Sequence, residues 1–276
     1  MKKYNNFLLE RNDTRIISEE DTIKILLTCK HVDLDNPLVG RSIYELKSDY
    51  YLIDPKKHDR KSANTRNYYT YIIDNSKDWE DFPKRSKSLI CHGYAKRPPY
   101  YDQYVVIPLN DANFGIANDD DLWTSFEFVE NITEVPSLKN FNTLLSKLYY
   151  LLIDEYLSDE SAEIFFNNLE KLSLKIQEPE SKNIIKNNDD SWSANIVQLF
   201  DFLLSESLKG NDCRTALELL FNPVQNDILH MSFTDMQKHL QTTGLPSSWG
   251  VEVWTDSECL LIKNNLYNDL IKKFKK

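Results

Sequence analysis

The sequence predicts an α+β fold in which two β-rich ends join one sheet around a helical middle segment. Three observations predict it. Between about 38 and 126, Tyr, Ile and Val alternate in short runs that Pro55, Pro83, Pro98 and Pro99 interrupt. From 137 to 221 the apolar residues shift to helical spacing. After Pro246 the β signal returns as GVEVWTDSECLLIK. A strand pair at the far end of a chain seldom folds alone, so these strands are expected to complete the sheet of 38–126. Residues 1–136 and 236–276 then form one core, and residues 137–235 are a helical insertion.

Taken in order, EEDTIKILLTCK reads as a short helix with Ser18 or Asp21 at its start. NYYTYIID, SLICHGY and YDQYVVIPL read as strands of the sheet-rich module. Leu138, Phe141, Leu144, Leu145, Leu148, Leu151 and Leu152 mark the first helix of the middle segment, and Ser161 to Ile176 the second. EPESKNIIKNNDDS is polar and reads as a loop. Trp192, Ile196, Leu199, Phe200, Leu203 and Leu204 mark a third helix, and Ala216 to Phe221 a fourth. VEVW and CLLI are strands joined by TDSE, and NNLYNDLIKKFKK is a closing amphipathic helix.

Composition excludes several classes. With 276 residues, 41% hydrophobic and 28% charged, the chain is globular and long enough to bury a core. It has 6 Gly and neither GxGxxG nor GxxxxGK[ST], which argues against glycine-rich phosphate loops. The net charge of −10 argues against a duplex-coating protein, although Lys and Arg gather between Lys56 and Arg97. The 4 cysteines form no CxxC pair and read as buried thiols of a reducing compartment. Neither a signal-peptide run nor a membrane-spanning stretch is present, so the expected address is cytoplasmic, with no membrane partner.

Familiar catalytic patterns are missing too. The 5 histidines include no HxxxH or HxH pair, so no zinc site is expected, and GxSxG is absent. Cys91 and His92 are neighbours, but adjacent strand side chains point to opposite faces. Asp119, Asp120 and Asp121 read better as an acidic loop than as a metal site.

Three segments remain. NPLVGRSIYEL leads a short apolar run into Arg41. KRSKSLICHGYAKRPPYYDQYVVIP carries Ser86 and Ser88 into a strand, then a turn and an aromatic-rich strand. GVEVWTDSECLLI sets Glu252 at the start of a strand hairpin. In this order they resemble the Arg, Ser and Glu motifs of the mono-ADP-ribosyltransferases. That family carries an Arg at the end of its first core strand, then a Ser-rich strand, then a late strand written Glu-Val-hydrophobic-aromatic. Here Ser42 follows Arg41 where Gly is usual. The Ser-Thr-Ser pattern is matched by Ser86-Lys87-Ser88, or has decayed to Cys91-His92-Gly93. DRKSANTRNYYTYIIDNSKDWEDFPKRSKSLIC is similar to transferase-like proteins of phages and mobile elements. The resemblance covers about 38–126 and 244–263.

The resemblance implies an ADP-ribosyltransferase-like split β-sheet core with a helical insertion. The implied activity moves ADP-ribose from NAD+ to a macromolecular acceptor, protein or nucleic acid. Glu252 would stabilise the oxocarbenium-like ribose. Arg41 would grip the pyrophosphate, with Arg60 as a second phosphate or acceptor contact. Ser88 would hold the ribose or brace Glu252, and Tyr69 and Tyr104 would stack on nicotinamide. A toxin, effector or phage-defence role follows, with an antitoxin or other inhibitory partner docking on the helical insertion. The rival readings are plain ones: Glu252 as an exposed strand residue, Arg41 as a strand-end cap, RKSANTRN as a hydrogen-bonded turn. The alternative function is a non-enzymatic module that binds single-stranded nucleic acid, or a partner, on the aromatic and basic 56–104 surface.

Overall fold

The computed structural model describes residues 14–29, 34, 37–40, 46–61, 66–93, 104–109, 111–125, 140–188, 193–225, 228–229 and 250–274. The chain forms two compact units. One gathers Met1–Ala63, Glu80–Leu122 and Leu229–Lys276; the other gathers Asn64–Trp79 and Trp123–Ile228. Among the described residues no helix is long and apolar enough to cross a membrane. Arg41, Leu138 and Trp192 lie outside the described residues.

In chain order the first elements are β1 (Thr14–Ile16), α1 (Glu19–Thr28), β2 (Leu38–Gly40), β3 (Tyr50–Ile53) and α2 (Tyr68–Asn75). Next come β4 (Leu89–Gly93), β5 (Tyr104–Pro108), β6 (Gly115–Ile116), α3 (Phe141–Ile153) and α4 (Ala162–Ile176). Then follow α5 (Pro179–Lys186), α6 (Ser193–Leu208), α7 (Cys213–Leu220), β7 (Glu252–Thr255), β8 (Cys259–Lys263) and α8 (Asn264–Phe274). The molecule is therefore α+β.

Among the described residues the strands lie in one antiparallel sheet of 8 strands, ordered β1-β3-β8-β5-β2-β4-β7-β6. The two C-terminal strands sit inside it: β8 between β3 and β5, β7 between β4 and β6. Their joining the sheet was expected from the sequence, because a strand pair at the far end of a chain seldom folds alone. Each of β4, β5 and β7 is buried along its whole length.

The connection between β7 and β8 also bends the sheet. Laid flat, β7 and β8 would be about 19 Å apart, four strand spacings of roughly 4.8 Å. The chain from Thr255 to Cys259 spans at most about 14 Å. The sheet must therefore curl. Hydrogen bonds fix the tight turn: Leu109 N donates to Glu258 O (3.0 Å), Asn113 N to Ser257 Oγ (3.0 Å) and Thr255 Oγ1 to Asn113 O (2.6 Å).

Residues opposite one another across a ladder share a face. Val39, Val105, Ile107, Leu260 and Ile262 therefore project together, and they pack under Leu26 of α1 and Tyr267, Leu270 and Ile271 of α8. Each fully buried aliphatic residue here contributes about 1.5–3 kcal/mol. Ser18 caps α1 by accepting from Asp21 N (3.0 Å), which chooses between the two sequence candidates.

The helical unit is built from α2 to α7. Phe141 meets Phe221 edge-on at 4.9 Å, and Tyr68 stacks on Phe165 at 5.1 Å. Leu144, Leu145, Leu148, Leu169, Leu172, Phe200 and Leu203 fill the space between the helices.

Two expectations are corrected here. NYYTYIID is helix α2 and belongs to the helical unit. Tyr68, Tyr69, Ile72 and Ile73 are spaced for one helical face as well as for a strand, and all are buried. Tertiary bonds decide: the Tyr68 hydroxyl donates to Leu157 O (2.9 Å), and Asn142 Nδ2 donates to Arg66 O (3.0 Å). The stretch read as a loop also contains a helix, α5, with Pro179 in its first turn. Its only buried residues are Ser181 and Ile185, too few to produce a periodic signal.

Candidate functional site

Glu252 opens β7 and is fully buried, with an accessibility of 0%. The backbone there is tied on one side to the segment around β6: Glu252 N donates to Asp119 O (2.8 Å) and Ala117 N donates to Glu252 O (2.9 Å). On its other side β7 pairs with β4, where His92 stands directly opposite Glu252 and is itself buried. Glu252, Trp254, Ile90 and His92 consequently share one face.

A carboxylate in such dry surroundings needs a counter-charge. Arg85 supplies it: Nη1 donates to Glu252 Oε1 at 2.5 Å, and the two side chains are 2% and 0% exposed. The guanidinium also lies over the Trp254 ring, 5.3 Å from its centroid. Trp254 is held in turn by its indole N–H, which donates to Pro83 O at 2.9 Å. Removing one member of a buried pair of this kind costs about 3–5 kcal/mol, because the other charge stays behind unpaired.

Arg85 was not foreseen. It lies in KRSKS, which reads as part of a basic surface, yet it is among the most buried side chains of the molecule. The signal that pointed to it is indirect. An acid inside a strand whose other residues are all buried implies a buried cation somewhere in the chain.

The residues proposed from sequence are placed as follows. The Ser88 hydroxyl donates to Lys84 O (2.7 Å) and closes the turn Arg85–Lys87; the residue facing Glu252 is His92, from the alternative Cys-His-Gly match. Arg60 is half-exposed, and its backbone N–H donates to Ser86 O (2.6 Å). Tyr69 is buried in α2 of the helical unit.

Tyr104 alternates with Val105 on β5 and so projects from the face opposite Glu252. Its hydroxyl donates to Ser48 O (2.7 Å), and its ring meets Tyr51 edge-on at 5.9 Å. Burial, with Tyr51 and Asp49 nearby, pushes that phenol up to about 12. Tyr104 is thus a core residue.

Arg41 itself is not described, but the residue before it is. Gly40 ends β2 opposite Cys91 of β4, and Cys91 stands opposite Val253 of β7. The strands carrying the Arg, Ser and Glu segments are consecutive neighbours, β2-β4-β7, although Gly40 and Glu252 are far apart in sequence. Cys91 lies on the face away from Glu252. Burial first, and the Glu252 charge second, push its thiol far up, which disfavours the thiolate.

The helical unit has an open cleft of about 620 Å³, lined by Asn167, Leu174, Gln177, Ser207 and Asn211 among others. It contains none of the residues proposed from sequence.

Comparison with protein-family models, with curated proteins and with solved structures finds no match to this chain.

Proposed function

We propose that the chain is an ADP-ribosyltransferase of the Arg-Ser-Glu type, with the sheet unit as a split-sheet core and Glu252 as its catalytic carboxylate. What supports the reading is the adjacency of the three motif strands. β2 ends one residue before Arg41, β4 follows the Ser segment, and β7 begins at Glu252; the ladder sets them side by side. In the proposed reaction the C1′–N bond of NAD+ breaks and nicotinamide leaves with the electron pair. A nucleophile on the acceptor forms the new bond to C1′ and gives up its proton to solvent. Glu252 would hold the 2′-hydroxyl and offset the positive charge growing on the ribose. Arg41 would take the pyrophosphate.

The test is incubation with NAD+ labelled in the adenylate, in the presence of cell lysate, with nicotinamide release followed in parallel. Label should enter an acceptor, and subsequent protease or nuclease treatment identifies its class. Glu252→Gln should lower transfer by about 100-fold or more while the far-ultraviolet spectrum stays unchanged. Full transfer by a folded Glu252→Gln protein would falsify the assignment.

One observation favours a second reading. The Glu252 carboxylate is wholly buried against Arg85, which suits a transferase-like sheet that serves as a non-enzymatic binding module. That reading expects no nicotinamide release, together with oligonucleotide binding that weakens steeply with salt.

A further inference from the structure

The segment expected to bring a serine to Glu252 brings an arginine instead. We propose that Arg85 is a positioning residue for the transfer reaction, fixing the orientation of the Glu252 carboxylate and supplying its counter-charge. The inference rests on the transferase reading above.

Three restraints converge on the stretch from Pro83 to Ser88, holding the backbone that carries Arg85 and the ring beneath its guanidinium. The turn Arg85–Lys87 is closed twice, by Ser88 N donating to Arg85 O (3.3 Å) and by the Ser88 hydroxyl on Lys84 O (2.7 Å). Arg60 N donates to Ser86 O (2.6 Å), which ties a second loop to the same turn. Pro83, just upstream, accepts from the Trp254 indole N–H (2.9 Å) and so fixes the ring over which the guanidinium lies.

Trp254 and Glu252 are alternate residues of β7, so they project from the same face. Ring, guanidinium and carboxylate therefore form a closed circuit from Pro83 through Trp254, β7, Glu252 and Arg85 back to Pro83. The guanidinium, seated on the ring, directs Nη1 at one oxygen of the acid, Oε1. A lysine would supply the charge without the planar fork.

The experiment measures kcat and KM for nicotinamide release by wild type, Arg85→Lys and Trp254→Phe, with a thermal melt of each. Arg85→Lys should keep KM for NAD+ within about 2-fold and lose about 100-fold in kcat, since small displacements of a reacting group cost that much. Trp254→Phe keeps an aromatic ring, smaller than the indole, and removes the bond to Pro83; it should lose about 10-fold in kcat with KM unchanged. A purely structural role predicts normal kcat per folded molecule. Folded Arg85→Lys with wild-type or higher kcat overturns the proposal. If Arg85→Lys does not fold, Trp254→Phe decides, and wild-type kcat there overturns it equally. Wild-type protein with no turnover removes the transferase reading, and the role of Arg85 with it. Wild-type turnover beside undiminished variants removes the role of Arg85 alone.

Discussion

A methyl group at position 115 would lie 1.9 Å from the Trp254 ring. Gly115 stands opposite Trp254 across the β6–β7 ladder, and the missing side chain is the space into which the indole folds. The glycine thus contributes to the neighbourhood of Glu252 without touching it. Gly115→Ala should destabilise the protein by about 1–3 kcal/mol through overpacking, measured by urea unfolding; a neutral effect would mean the ring is not seated there. The thiols give a second prediction. Cys91, Cys213 and Cys259 are buried and Cys29 is half-buried, and burial raises all four thiols. An aromatic disulfide reagent at pH 8 should label Cys29 first in the native protein, and the other three only on unfolding. At this scale the sequence was partly legible. Glu252 stood out because GVEVW resembles the Glu motif of the transferases. Arg85 did not, because a basic run shows nothing of which member turns inward.

Elements were readable where one period dominated. Helices α3 and α4 followed from long apolar stripes, and β7 and β8 from short runs bounded by a turn. Helix α2 was misread because a short aromatic run fits both periods, and the bonds that settle it come from residues more than seventy positions downstream. The end of α6 carries a pH dependence. Glu206 accepts from Lys209 Nζ (2.6 Å) and Asn211 Nδ2 (2.7 Å), and the Lys209 bond above all holds its carboxyl below the usual glutamate range. A carboxyl lowered by folding stabilises the fold above its unfolded value, about 4.3. That contribution disappears as pH falls through the lower, folded value. Glu206→Gln should therefore show a shallower loss of stability on acidification than wild type, read from melting temperatures between pH 6 and 3. Equal slopes would show that the bonds at this helix end carry no linkage.

For the molecule as a whole, the sheet is assembled from both ends of the described chain. That the C-terminal strands return to the sheet was legible, since a strand pair at the end of a chain seldom folds alone. Where they insert was not, because ladder order depends on pairings between residues more than a hundred apart. Both strands are interior, so a chain ending at Trp249 would leave β6 with no strand partner and β3, β4 and β5 with one each instead of two. Such a truncation should lose the β signal in circular dichroism and become protease-sensitive throughout the sheet unit; retention of that signal would contradict the ladder. The same interleaving has a consequence during synthesis. A ribosome must read past codon 263 before the centre of the sheet can fill, and nascent chains shorter than 252 residues hold Arg85 without its acid. Any activity built on that pair would stay silent until translation had gone that far, and a transcript cut short upstream would encode a chain without the pair.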